Sequence, residues 1–196
     1  ENYKIFTFKK FDKYQPANSK IDITNIDSHL LSAALFYATN KMRVFNNVIP
    51  LKFSNILRKA AYLQSYYMVK RNYFSSISPI NAIKTLDVRI KKFGKYFGQA
   101  VENLAIEYGI KYNSGQKFYS RGKKNFYYQD GQRIPFHTYN SFAKKVVKQW
   151  MKSPSHRKII LDPSFTRLGA GAWFYYDNNG MLIAKISHCM AQRTSD

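Results

Sequence analysis

The chain has 196 residues, 45% hydrophobic and 22% charged, the length and balance of one globular domain with its own core, which excludes general disorder. Lys and Arg number 32 against 11 Asp and Glu, a net charge of +21, so the ligands that charge alone would attract are polyanions: nucleic acid, sulfated glycans and anionic lipid headgroups. No apolar run reaches membrane-spanning length, and a single Cys, Cys189, excludes an internal disulfide and a multi-thiolate zinc site.

The chain starts at Glu1 rather than Met, which leaves room for a removed signal peptide or lipid anchor. Residues 1–27 set Phe6, Phe8 and Phe11 between lysines and follow them with Gln15-Pro16-Ala17-Asn18. They read as an N-terminal extension, one short strand with a polar linker, serving as a tether. The domain proper is 28–196. Asp27 or Ser28 caps a first helix, with Leu31, Ala34, Leu35, Ala38 and Met42 at helical spacing. Asn46, Asn47 and Pro50 break the pattern. Ser54 caps a second helix whose inner face is Ile56, Leu57, Ala60, Ala61, Gln64, Tyr67 and Met68. Ser78-Pro79 opens a shorter helix that runs towards Phe93 and stops at Gly94.

Strands are expected over 101–108 and 117–128, with Gly115, Gly122 and Gly131 in turns. Ser141 caps a third long helix, with Phe142, Val146, Val147 and Trp150 on one face, ended by Ser153-Pro154. Two strands, 168–176 and 181–190, flank Asp177-Asn178-Asn179-Gly180, whose Asn-Gly is a hairpin signal. The class is α+β, helices packed on a mainly antiparallel sheet.

Neither acid-free stretch, 28–86 or 131–161, holds a compact basic run. No nucleic-acid motif is present, so the charge reads first as a solubilising background without a specific nucleic-acid site. The segment 118–128 interleaves Phe118, Tyr119, Phe126, Tyr127 and Tyr128 with Arg121, Lys123 and Lys124 in a hairpin or loop, a surface for an acidic protein, a glycan or a lipid layer.

Several segments together resemble the CAP superfamily, the group of cysteine-rich secretory, antigen 5 and pathogenesis-related-1 proteins. Trp150-Met151-Lys152-Ser153-Pro154-Ser155-His156-Arg157 is similar to the bacterial Trp-x-x-Ser-Pro-x-His-Arg pattern. Phe165-Thr166-Arg167-Leu168-Gly169-Ala170-Gly171 is similar to Phe-x-x-Ile-Gly-x-Gly, and Glu102-Asn103-Leu104-Ala105 to Glu-Asn-Ile/Leu-Ala. Asn40-Lys41-Met42-Arg43, Pro50-Leu51-Lys52-Phe53 and the helix from Ala60 to Met68 fit in order, so the likeness covers about residues 28–192. It implies an α-β-α sandwich and an exported bacterial protein, secreted or held at the cell surface or outer membrane by a lipid anchor.

In the family a central cleft commonly carries two His and one or two Glu, which bind zinc in some members. Carried over, the pattern places Glu102 and His156 in the cleft. Ser76 stands where the other His is expected, in Phe74-Ser75-Ser76-Ile77-Ser78-Pro79, and Ser153 where eukaryotic members have a second Glu. Two ligands fall short of the three that normally hold zinc, and a Ser hydroxyl replaces an imidazole poorly. No cofactor is therefore expected, with His156 and Glu102 as weak metal candidates and His188 or His137 unplaced extras. His156 reads as a residue that fixes the helix exit, with Glu102 as its partner. A Ser-His-acid set of Ser76 or Ser153 with His156 and Glu102 lacks a nucleophile elbow. Cys189 falls in a strand and reads as core.

The expectation is a non-catalytic CAP domain, a binding module for a host protein, an acidic glycan or an anionic surface. The alternatives are a metal-dependent or hydrolytic enzyme on the Glu102–His156 remnant, and a lipid, sterol or polyanion binder.

Overall fold

The computed structural model describes residues 7–122 and 125–196. Phe6, Lys123 and Lys124 of the sequence reading lie outside the described residues. The element order is α1 (Phe8–Asp12), α2 (Gln15–Asn18), α3 (Ser28–Phe45), β1 (Lys52–Phe53), α4 (Asn55–Lys70), a 3-10 turn (Asn81–Ile83), α5 (Leu86–Lys91), β2 (Tyr96–Tyr108), β3 (Phe118–Ser120), β4 (Phe126–Tyr128), β5 (Arg133–Ile134), α6 (Tyr139–Lys152), α7 (Pro154–Leu161), β6 (Arg167–Tyr176) and β7 (Leu182–Thr194). The main sheet runs β1-β6-β7-β2, antiparallel except for the two-residue parallel pair of β1 with β6. A small second sheet, β3-β4-β5, is antiparallel throughout. No helix among the described residues is long and apolar enough to cross a membrane.

Strand alternation divides the structure into layers. On β6 and β7, Leu168, Ala170, Ala172, Ala184, Ile186 and Met190 meet α3 and α6 in the larger core. The opposite face sends Cys189 and Ala191 against Ile56, Leu57, Ala60 and Ala61 of α4 and Ile90 of α5. This is the α-β-α sandwich that the family resemblance implies, within the α+β class that the sequence pattern predicts.

The caps explain the helix starts. Asp27 accepts from the Leu30 N–H and starts α3. Ser54 accepts from the Leu57 N–H and starts α4. For α6 the cap is Thr138, three residues before the expected Ser141. The two form a reciprocal capping box, so Ser141 belongs to the first turn instead. Pro154 does end α6, and it also opens α7 as a first-turn proline. The helix expected from Ser78 is shorter. A hydrogen bond from Ser78 N to Lys84 O closes a loop first, and Thr85 caps α5. The expected strand 117–128 is a hairpin, β3 and β4, turning at Gly122 with φ of 68°.

The extension is not a free tether over its described part. Phe11, Ala17 and Ile21 are buried, and Phe11 stacks on Tyr37 of α3 at 4.4 Å. Asp12 accepts from Lys41 at 2.7 Å and Lys144 at 2.8 Å. No strand forms there, because Thr7 caps a helical turn and Pro16 sits in the first turn of the next. Residues 7–27 therefore complete the α3/α6 layer.

The Gly-x-Gly of β6 sets how closely α4 lies on the sheet. A Cβ at Gly169 would overlap the backbone of Leu57 and Arg58, and one at Gly171 would stand 2.5 Å from the Tyr62 Cα. Backbone offers no rotamer that could yield. Gly171→Ala is expected to cost about 1–3 kcal/mol of stability through overpacking, read as a lower urea midpoint. An unchanged midpoint would mean that α4 rides higher than described.

Candidate functional site

Glu102 lies on β2 opposite Cys189 of β7, facing the α4/α5 layer. Its carboxylate is almost fully enclosed and pairs with the equally enclosed Arg89 of α5, Nη2 to Oε2 at 2.9 Å. Ser187 donates its hydroxyl to the other oxygen at 2.6 Å. Arg89 Nη1 donates to the carbonyls of Ser76 (3.2 Å) and Ile83 (3.1 Å). Burial pushes the Glu102 carboxyl above its ordinary value, while the Arg89 charge and the Ser187 and Ser76 hydroxyls pull against it. The structure thus brings Glu102 and Ser76 together, as the pattern implies. It adds a cation, Arg89, that sequence reasoning missed.

His156 is not part of this group. It lies in the first turn of α7, on the other side of the sheet. Asn103, the next residue along β2, faces that side, and its amide donates to the His156 carbonyl at 3.4 Å. Among the described residues no hydrogen bond or ion pair joins Glu102 to His156, which corrects the expected partnership. The cause is the period of two along a strand: Glu102 and Asn103 cannot face the same layer. Ser153 caps nothing with its side chain. Its hydroxyl lies 3.2 Å from that of Ser155 on α7, so it joins neither Glu102 nor a Ser-His pair.

The two remaining histidines of the reading are core residues. His188, opposite Asn103, is fully buried against Trp150 at 4.7 Å. Its Nε2 lies 3.0 Å from Thr39 Oγ1. Thr39 gives its only hydroxyl hydrogen to the Leu35 carbonyl, so His188 Nε2 carries the proton and donates. Burial, with Arg43 nearby, pushes this imidazole down to about 3. His137 is buried beside Ser141, 2.8 Å away, and burial together with Lys145 and Lys111 pushes it down to about 4. Cys189 has no exposure and lies 3.4 Å from Ser187 Oγ. Burial and the Glu102 charge push its thiol far up, away from the thiolate a nucleophile needs.

Among the described residues no three His, Cys, Asp or Glu side chains are close enough to share a metal. The donor set does not fit the zinc that some family members carry: the one carboxylate in place already holds a guanidinium, and the imidazole stands on the far layer.

A family model described as the cysteine-rich secretory protein family, CAP, matches residues 36–189. YkwD of Bacillus subtilis is 32% identical over 133 residues, 68% of this chain and 38% of that protein; the chain spans under two-fifths of that relative's length. Among solved structures, an extracellular protein of Bacillus anthracis containing an SCP domain superposes with a TM-score of 0.58 at 22% identity, covering 85% of this chain and 41% of that one. An outer surface protein of Borrelia burgdorferi gives 0.53 at 16%, covering 90% and 98%. The CAP domain of Enterococcal PrgA gives 0.51 at 17%, covering 96% and 72%. At these identities the structures speak for the fold alone.

A histidine held neutral by burial stabilises the fold above its unfolded pKa of 6.5, and the stability is lost as pH falls towards its folded value. Each such group contributes about 1.4 kcal/mol per pH unit across that window. Between pH 6 and pH 4 a His188→Gln variant is therefore expected to lose about 1.4 kcal/mol per unit less than the parent in urea unfolding. Parallel slopes would mean that His188 is not held neutral.

Proposed function

Because the chain belongs to the cysteine-rich secretory protein (CAP) family, we propose that it is a non-catalytic binding module of a bacterial extracellular or surface protein. The observation that carries this reading is the Arg89–Glu102 pair at 2.9 Å. It takes up the carboxylate a cleft reaction would use as base or metal ligand, and His156 is on the opposite layer. General acid-base work needs its groups within hydrogen-bond reach of one reacting centre, and a metal needs at least three protein ligands. What the family cleft supplies in this chain is a closed polar strut.

The company the fold keeps supports that compartment. Proteins of the same architecture include one described as extracellular and one described as an outer surface protein. A protein of net charge +21 in that setting meets anionic surfaces first. Stable display needs no reaction, only a scaffold on which surface residues are held fixed.

Calorimetric titration of the metal-free protein with zinc checks the reading. The parent, Glu102→Gln and His156→Ala are expected to give superimposable traces with only weak, multi-site heat. A single stoichiometric site lost in both variants would return the protein to the metal-dependent class.

A further inference from the structure

Three arginines in this protein are buried, and the terminal nitrogens of two of them are bonded within the chain. Arg43 donates to the carbonyls of Ile49, Ile160, Asp162 and Phe165. Arg89 serves Glu102 and two carbonyls. Arg58, on α4, is 9% exposed, yet only its Nε has a partner, the Asn55 side-chain oxygen at 3.0 Å. Among the described residues its terminal nitrogens donate to nothing and no carboxylate pairs with it. A guanidinium has five donors in a planar fork, and the terminal nitrogens of Arg58 are not sealed in the core but open onto the groove it lines, where they are free to donate outward. That fork calls for an anion from outside the chain, held in the two-point manner that suits carboxylate, sulfate or phosphate.

Arg58 lines an open groove of about 590 Å³ with Lys59, Tyr62, Tyr66, Phe93 and Trp173, and no acidic residue lines it. On α4, Arg58, Tyr62, Tyr66 and Lys70 recur every four residues, so they form one stripe. Trp173, projecting from β6, meets Tyr62 edge-on at 5.5 Å and Tyr66 at 4.8 Å. Lys70 lies over the Tyr66 ring and Lys59 over Phe93, each at 5.8 Å. A second hollow of about 290 Å³ shares Tyr62 and Trp173 and extends the groove.

We propose that this groove binds an acidic saccharide, with a carboxylate or sulfate on the Arg58 fork and a sugar ring resting on Trp173 and Tyr66. The proposal deepens the binding-module reading and rests on it. The reasons for a saccharide lie in the aromatic ridge. A lone phosphate or a lipid headgroup would use the cations and leave the rings idle. A nucleobase stacks best on a flat platform, whereas the Trp173 and Tyr66 planes stand 85° apart and form an angled ridge. The C–H face of a pyranose carries slight positive charge, which suits the negative face of an aromatic ring, and its puckered outline fits an uneven ridge. The cations along the stripe match a repeating anionic chain.

The test uses a heparin tetrasaccharide on the full chain at physiological salt, read by tryptophan fluorescence and calorimetry. Of the two tryptophans, Trp150 is wholly buried, so a ligand in the groove reports through Trp173. The expected result is one site with a fluorescence change. Arg58→Lys, which keeps the charge and loses the fork, should weaken binding about tenfold, and Trp173→Leu should do the same and abolish the signal. Lys148→Ala, on α6 across the sandwich, should stay within about twofold, since it removes only general charge. If Arg58→Lys does not fold, the exposed Lys59→Ala serves, with about a threefold loss expected. Three results would overturn the groove: no binding, binding with Trp173 unmoved, or an equal loss in Lys148→Ala. Inorganic sulfate or inositol hexakisphosphate binding as tightly as the tetrasaccharide would overturn the saccharide assignment in favour of a simple anion site. Each of these leaves the non-catalytic reading standing; cleavage of the tetrasaccharide would sink that reading instead.

Discussion

A guanidinium with no exposure, Arg89, and a carboxylate with almost none, Glu102, face each other across 2.9 Å, and the α4/α5 layer is organised by that contact. Four pieces of chain converge there: α5 brings Arg89, β2 brings Glu102, β7 brings Ser187, and the loop after α4 brings the Ser76 carbonyl. Such a pair adds little net stability over well-packed apolar residues, because both charges are stripped of water. Removing one partner alone is far more costly. The pair therefore acts as a constraint on sequence, tying the short α5 to the sheet. Together with the Ser187 hydroxyl, Arg89 also occupies both oxygens of the carboxylate that the family resemblance places in the cleft.

The other layer follows the same rule with different groups. Arg43 gathers carbonyls from the end of α3's loop, the end of α7 and the approach to β6. His188 is locked by Thr39 beneath Trp150, and Trp150 donates its indole N–H to the Leu104 carbonyl at 2.9 Å. Buried polar groups in this protein are joints between secondary-structure elements. Against that background Arg58 stands apart, as a mostly covered side chain whose fork opens onto a groove and, among the described residues, joins nothing in the chain.

Much of this was legible in the residues and their spacing. Asp27 and Ser54 mark the starts of α3 and α4, and the Asn-Gly at 179–180 marks the β6–β7 turn. The Gly-x-Gly of β6 is legible as a motif, and its cause is the near contact of α4 with the strand. Other features were hidden for identifiable reasons. The alternation in Glu102-Asn103 already sends neighbours to opposite faces, but sequence does not say which helices cover which face, so His156 looked like a partner. Arg89 was one cation among 32 Lys and Arg, and nothing local distinguishes the one that is buried. In the extension, Phe8 and Phe11 carry helical spacing, yet the run is too short to stand out from a polar linker; only docking against Tyr37 gives it shape.

The central claim is that Arg89 and Glu102 form one coupled unit that ties α5 to the sheet. A double-mutant cycle on unfolding free energy, with Arg89→Met, Glu102→Leu and the pair together, tests it most directly. The account predicts that each single change costs roughly 3–5 kcal/mol while the double variant recovers most of that loss. Additive single losses would show that the two charges do not depend on each other, and the carboxylate would then be free for another role.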